Sequence, residues 1–334
     1  MWYNMRREKF QDIRVRQALE YAFNFEWTNE SVFYNAYKRS DSFFENTEMQ
    51  AMGLPEGEEL ALLEPFRDQL PESVFTEAVH SPYNGSPNLR DRQAQRRASS
   101  LLDAAGWTVG ADGMRRNEDG EVMRIEIVDD NRSLERIIAP FVENMKGLGI
   151  DAEFIILDPA QWSERRQRFD FDIAFVAWQV AVTPGATLRA FYGSAAADAE
   201  GSNNLTGLAD PVVDALIDAA VAASNRDELN TAIRALDRVL RSKHIWIGAW
   251  FLGAHRVAVW DVFGRPENDA PYDFNRGVEF WWEDAEKRAR LEAELAEQKK
   301  AAAAADAERQ RVEAEAAAAA AAAEAAATKA EVSA

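Results

Sequence analysis

Between Val122 and Leu157 the chain switches hydrophobic period and then switches back, and this limits the fold more than any other feature. Val122 to Val128 alternates, placing Met123, Ile125 and Ile127 on one face of a strand. Leu134, Ile137, Ile138, Phe141, Val142, Met145 and Leu148 then keep a helical period, and Gly149 stops the helix. Ile150 to Leu157 alternates again. Strand, helix and strand in close succession predict a βαβ unit with parallel strands. Asp172 to Trp178 is nearly all apolar, as suits a central strand covered on both faces. The fold class is therefore α/β, with 122–128, 150–157 and 172–178 in one parallel-rich sheet and the helix at 134–148 as the crossover.

The flanks read as helices and turns. Asp12 caps a helix carrying Val15, Ala18, Leu19 and Ala22, and a second helix is expected over 27–38. An irregular stretch follows with Gly53, Pro55, Gly57, Pro65 and Pro71, then a turn-rich loop at 81–88. The next helix has Ala94, Ala98, Leu101, Leu102 and Ala105 on one face, with Gly106 as its C-cap. After a loop at 179–210, one helix starts at Pro211. Another runs from about 227 to 243, with Ser224 and Asp227 resembling a capping box. Strands are expected at 245–252 and 256–260. From Glu283 onward alanine, Glu, Lys, Arg and Gln dominate. That composition favours helix, but Leu291, Leu295 and Val312 give no heptad seam, so 283–334 reads as a solvated helical or disordered tail.

Composition excludes several functions. The formal net charge of −19 lacks the Lys/Arg excess that phosphate backbones or anionic membranes require. No stretch approaches the ~20 apolar residues of a membrane span. The absence of Cys removes disulfides, thiolate zinc sites and Cys nucleophiles. No phosphate-binding G-x-x-x-x-G-K-[ST] and no G-x-S-x-G elbow occurs. His80, His244 and His255 lie apart from one another and from carboxylates at metal-ligand spacing, and read as structural or incidental. Asp170 and Asp172 would share a strand face but mark strand entry rather than an acid–base pair. The chain is thus not expected to be an enzyme, and no metal or cofactor is implied.

Trp178 ends the apolar run at the edge of a parallel sheet, which is where open α/β folds bind ligands. Asn203 and Asn204 follow beyond the loop, and amides both donate and accept, as a peptide or a sugar requires. An alternative reading leaves Trp178 as a core cap and the asparagines as turn formers.

Several segments, in order, resemble the family 5 extracellular solute-binding proteins. They are Phe10-Gln11-Asp12-Ile13-Arg14-Val15-Arg16-Gln17-Ala18-Leu19, Ala98 to Trp107 (A-x-x-L-L-x-x-A-G-W), Leu148-Gly149-Ile150, Phe169 to Trp178, Gly201-Ser202-Asn203-Asn204 and Asp210 to Leu216. Phe23-Asn24-Phe25-Glu26-Trp27, Asp41 to Asn46, Leu62 to Arg67 and Phe280-Trp281-Trp282 are similar to the YejA-type branch of oligopeptide and microcin C binders.

The resemblance implies a type II periplasmic binding protein fold, mainly its second lobe. It places that lobe at 1–245, a return segment toward the first lobe at 246–282 and the tail at 283–334. It implies a chain shortened at its N-terminus, a periplasmic location, an oligopeptide ligand and ABC permease subunits of the inner membrane as partners. No nucleic acid partner is implied, and the chain itself does not span the membrane. The ligand-binding residues are expected to be Trp178, Gln179, Asn203 and Asn204, lining one wall. Classical members carry an Asp three residues after the strand-ending Trp. Here that position is Ala181, so an amine held by a salt bridge there is not expected. The alternatives are a same-fold binder of an oligosaccharide or a peptide–nucleotide antibiotic, or a fragment that binds nothing. Shortening predicts that residues 1–10 and 246–282 project and expose apolar surface.

Overall fold

A computed structural model describes residues 1–178, 181–254, 256–267 and 278–332. The chain forms two compact units, Met1–Ala254 and His255–Ala334.

The first unit is built on the expected βαβ. Strand Arg124–Asp129 pairs in parallel with Asp151–Ile156, and helix Glu135–Gly147 crosses between them. Gly149, at φ +84°, turns the chain into the second strand, and a Cβ there would lie 2.5 Å from the Gly113 carbonyl oxygen. Strand Ile173–Ala174 pairs in parallel with Ile127 and Val128. It lies inside the sheet as expected but is shorter than 172–178, its ladder with the neighbouring strand ending at Val128 and Ala174.

The fourth strand, Trp2–Tyr3, is antiparallel to Ile173–Ala174. Beyond it Ile247 N–H donates to the Met1 carbonyl at 2.8 Å, and Tyr3 N–H donates to Ile245 O at 3.3 Å. The expectation that residues 1–10 project is therefore wrong. Trp2, Tyr3, Asn4 and Phe10 are all buried. Asn4 Nδ2 donates to the carbonyls of Phe169 and Phe171 at 2.8 and 2.9 Å, satisfying backbone groups that burial would otherwise orphan.

Alternation along the strands feeds two cores. Ile125, Ile127, Ile173 and Tyr3 face helices Ile13–Ala22, Arg92–Ala104 and Glu135–Gly147. Val128, Ala174 and Trp2 face helices Pro211–Ala222 and Arg226–Ser242 together with the irregular 43–74 segment. Covering both faces suits the near-continuous apolar strands. Caps are as read at Asp12, whose side chain accepts from Arg14 N–H, and at Gly106, at φ +87°. The capping box of Arg226–Ser242 is one residue later than expected. Asn225 accepts from Glu228 N–H, and Glu228 reaches back to Ser224 N–H at 2.7 Å. The second helix is Phe25–Ser31, shorter than 27–38.

Strand formation at 245–252 is confined to Trp250–Phe251, paired with Lys38–Arg39, and a bridge at Trp246. No ladder forms among the described residues of 256–260. In the second unit Phe263–Gly264 pairs instead with Trp282–Glu283. Gly264 is needed there, since a Cβ would meet the Trp282 ring at 2.4 Å. Val257, Val259, Trp260, Phe280 and Trp282 are exposed. Helix Ala285–Val332 is one continuous element of 48 residues. Asp284 caps it, and Lys287 and Arg290 tie its first turns to Asp261. No helix among the described residues is long and apolar enough to cross a membrane.

Candidate functional site

The carboxyl edge of the parallel strands is set by Asp129, Ile156 and the chain leaving Ala174. Trp178 is half-buried and belongs to an aromatic chain: its ring lies 4.7 Å from Phe191 and 6.3 Å from Trp2. Trp2 in turn touches Trp246 at 5.6 Å and donates Nε1–H to Val176 O at 2.8 Å. The Arg166 guanidinium sits 5.8 Å from the Trp178 ring centroid. Its Nη2 donates to Asn203 Oδ1 at 2.8 Å. Trp178, Arg166 and Asn203 therefore form one contiguous surface of ring, cation and amide.

Asn204 stands apart from that surface. It is fully buried, its Nδ2 donates to the carbonyls of Gly193 and Leu208 at 3.1 and 2.8 Å, and its Oδ1 accepts from Leu208 N–H and the Thr206 hydroxyl. No polar capacity is left for a ligand, so Asn204 shapes the loop that carries Asn203. Arg6 secures the same loop by donating to the carbonyls of Asn204 and Leu205 and to that of Ala197. Gly207 is required under it, because a Cβ would lie 2.8 Å from Arg6 Cγ. Gln179 lies outside the described residues. Asp170 and Asp172 pair with Arg7 and Lys9 at 2.8 and 2.7 Å, the structural role read for them.

Sequence reading missed Arg166, for which helix Pro159–Gln167 offers no distinguishing pattern. It also missed Asp129, which a search for carboxylates just past apolar strands would have found. Asp129 is buried, its Oδ1 accepts from Asn131 N–H at 2.7 Å, and burial, helped by the charge of Asp130, lifts its pKa from 3.8 to about 6. A carboxyl raised on folding binds more protons folded than unfolded, so stability falls as pH rises across that window. Asp129→Asn is therefore expected to stabilise the fold by about 1–3 kcal/mol at pH 7.5, with no gain below the lower pKa. Thermal melts of both proteins across that pH range check this, and a gain independent of pH would contradict it.

Residues 1–199 match the model of the bacterial extracellular solute-binding proteins, family 5, middle region. The chain belongs to this family. A probable peptide-binding protein YejA of Agrobacterium fabrum is 40% identical over 282 residues, covering 84% of this chain and 45% of the relative. The uncharacterized protein YejA of Escherichia coli is 33% identical, covering 86% and 47%. This family 5 chain thus spans somewhat under half the length of these relatives. The oligopeptide-binding protein AppA of Bacillus subtilis, solved with a nonapeptide, matches with a TM-score of 0.55 at 18% identity, covering 84% of this chain and 49% of that one. That likeness shows the fold: the family 5 chain is a type II periplasmic binding protein fold, with a βαβ-centred sheet sandwiched between helices.

Proposed function

We propose that this chain forms the second lobe of the substrate-binding component of an ABC importer and takes oligopeptides. The lobe is completed by a first lobe supplied from the remaining length of the protein. The observation that carries this reading is the Trp178–Arg166–Asn203 surface on a family 5 scaffold whose YejA-type relative is named as probably peptide-binding. A half-exposed ring suits side chains of many sizes. An amide beside a guanidinium suits peptide carbonyls and a carboxylate. Ala181 offers no charge for the peptide amine, so recognition rests on backbone hydrogen bonds and bridging water, which tolerate varied sequences. The protein works in the periplasm, delivers ligand to permease subunits of the inner membrane and catalyses nothing.

The test is calorimetric titration of the two-lobed protein with a defined oligopeptide mixture and, as the competing class, mannooligosaccharides. Trp178→Ala is expected to weaken peptide binding by ~1–3 kcal/mol, the range for a well-packed aromatic contact. Asn203→Ala should cost about 1 kcal/mol. Asn204→Ala should instead lower stability by about 1–3 kcal/mol through orphaned buried groups. Unchanged affinity in both binding-surface variants, with circular dichroism intact, would move the site elsewhere. Saturable binding of the sugar alone would replace the oligopeptide.

A further inference from the structure

Helix Ile13–Ala22, the chain at 77–83 and the turn after helix Arg226–Ser242 converge on a cavity of about 610 Å³. At its wall stand Glu20, His80 and His244. His80 Nε2 lies 3.0 Å from Glu20 Oε1, His244 Nδ1 lies 3.2 Å from Glu20 Oε2, and the two imidazole centroids are 4.1 Å apart. One donor atom from each residue falls within 4.8 Å of the other two. Linear spacing sets His80 and His244 apart from each other and from carboxylates, but in three dimensions both meet Glu20.

We propose that Glu20, His80 and His244 bind a divalent transition ion of the zinc class. Two imidazoles and one carboxylate are the ligand set of an open tetrahedral site, with metal–ligand distances of about 2.0–2.2 Å. Donors at those distances sit ~3.3–3.5 Å from one another, so the observed spacing needs only small side-chain adjustment. The fourth position faces the cavity and takes water. His244 is already oriented. Its backbone is left-handed, at φ +47°, its N–H donates to Arg241 O, and Nε2 lies 3.1 Å from Gln17 Nε2. That places an amide, turned to offer its oxygen, as the outer partner that metal-bound histidines usually have.

Charge around the cluster is mixed. Glu77 also lines the cavity, and Arg238, which lines it too, pairs with Glu59 at 2.6 Å. Arg39 pairs with Glu26 at 3.8 Å, while Arg16 and Arg241 keep their charge, donating to the carbonyls of His244 and His80. Each ligand comes from a different segment, so the ion would fasten the 77–83 loop to both helices.

The experiment uses the full chain freed of metal by chelation. Calorimetric titration with zinc chloride should give one ion per chain, and cobalt(II) should give the visible absorption of a tetrahedral complex. His80→Ala, at a half-exposed position that leaves the core intact, should weaken zinc binding by at least the ~10–100-fold that loss of a mere outer-shell partner costs. Glu20→Gln should act alike. Zinc at about a hundredfold over its Kd should raise Tm by ~5–10 °C and slow amide exchange at 77–83. No stoichiometric binding, or binding unaltered by His80→Ala, would overturn the assignment.

Discussion

Asp237→Ala is expected to cost the first unit about 3–5 kcal/mol, the penalty for removing one member of a buried ion pair and leaving the other uncompensated. Asp237 is completely buried on helix Arg226–Ser242. Its carboxylate accepts from the N–H groups of Phe43 and Ala51, each at 3.0 Å, and from Arg241 Nη1 at 3.3 Å. Burial pushes its pKa up while Arg241 and the donors pull it back. Its neighbours on the helix continue the same work. Arg238 donates to Glu59 at 2.6 Å and to the carbonyls of Gly53 and Met52. Arg241 donates to those of Ala51 and His80. Without Asp237 the N–H groups of Phe43 and Ala51 lose their acceptor and the Arg241 guanidinium loses its carboxylate partner inside the protein, each at its own desolvation cost. Urea denaturation followed by circular dichroism measures the loss. Asp237→Asn should fall between wild type and Ala, because an amide oxygen can still accept one bond but carries no charge. A midpoint unchanged in Asp237→Ala would mean that the helix does not hold the 41–80 segment.

That segment also marks where sequence reading stopped. The βαβ unit was legible because Met123, Ile125, Ile127 and then Ile137, Phe141 and Met145 repeat with periods that only a strand and a helix can satisfy. Along Arg226–Ser242 the periodic Leu229, Ile233, Leu236, Val239 and Leu240 account for the inward face and give no sign of where Asp237, Arg238 and Arg241 lie. All three are in fact buried, because the Pro- and Gly-rich chain at 41–82 wraps over them and its carbonyls and N–H groups supply their partners. Irregular chain has no period, so nothing in its own sequence reveals what it covers.

The same limit applies at the candidate site. Trp178 was visible because it ends an apolar run. Asn204 was visible but misplaced, since type and position do not tell a surface amide from a buried one. Arg166 and the Glu20–His80–His244 cluster depend on contacts between residues far apart along the chain. The first strand is a different case. Met1 to Asn4 is too short to show a period, so only the family resemblance, which marks it as the end of a hinge strand, points to it.

Trp2→Ala is expected to destabilise the first unit by about 3–5 kcal/mol, the range for deleting a large aromatic from a packed core. Trp2 is only 4% exposed. Its ring meets Phe43 at 5.9 Å, Trp246 at 5.6 Å and Trp178 at 6.3 Å, and its Nε1–H satisfies Val176 O. Truncation leaves both a cavity between the sheet and the aromatic cluster and an unpaired carbonyl just before Trp178. Tyr3→Phe, one residue on and equally buried, removes only the hydroxyl that donates to Arg16 O at 2.8 Å, so about 1 kcal/mol is expected. The contrast separates a strand woven into the sheet from one lying on its surface, where both changes would cost little. A Trp2–Trp178 double-mutant cycle should return a coupling of about 0.5–1.5 kcal/mol. Denaturant midpoints of the four proteins supply every term. A coupling indistinguishable from zero would detach Trp178 from the core, and with it the argument that a rigid aromatic wall presents that ring to ligand.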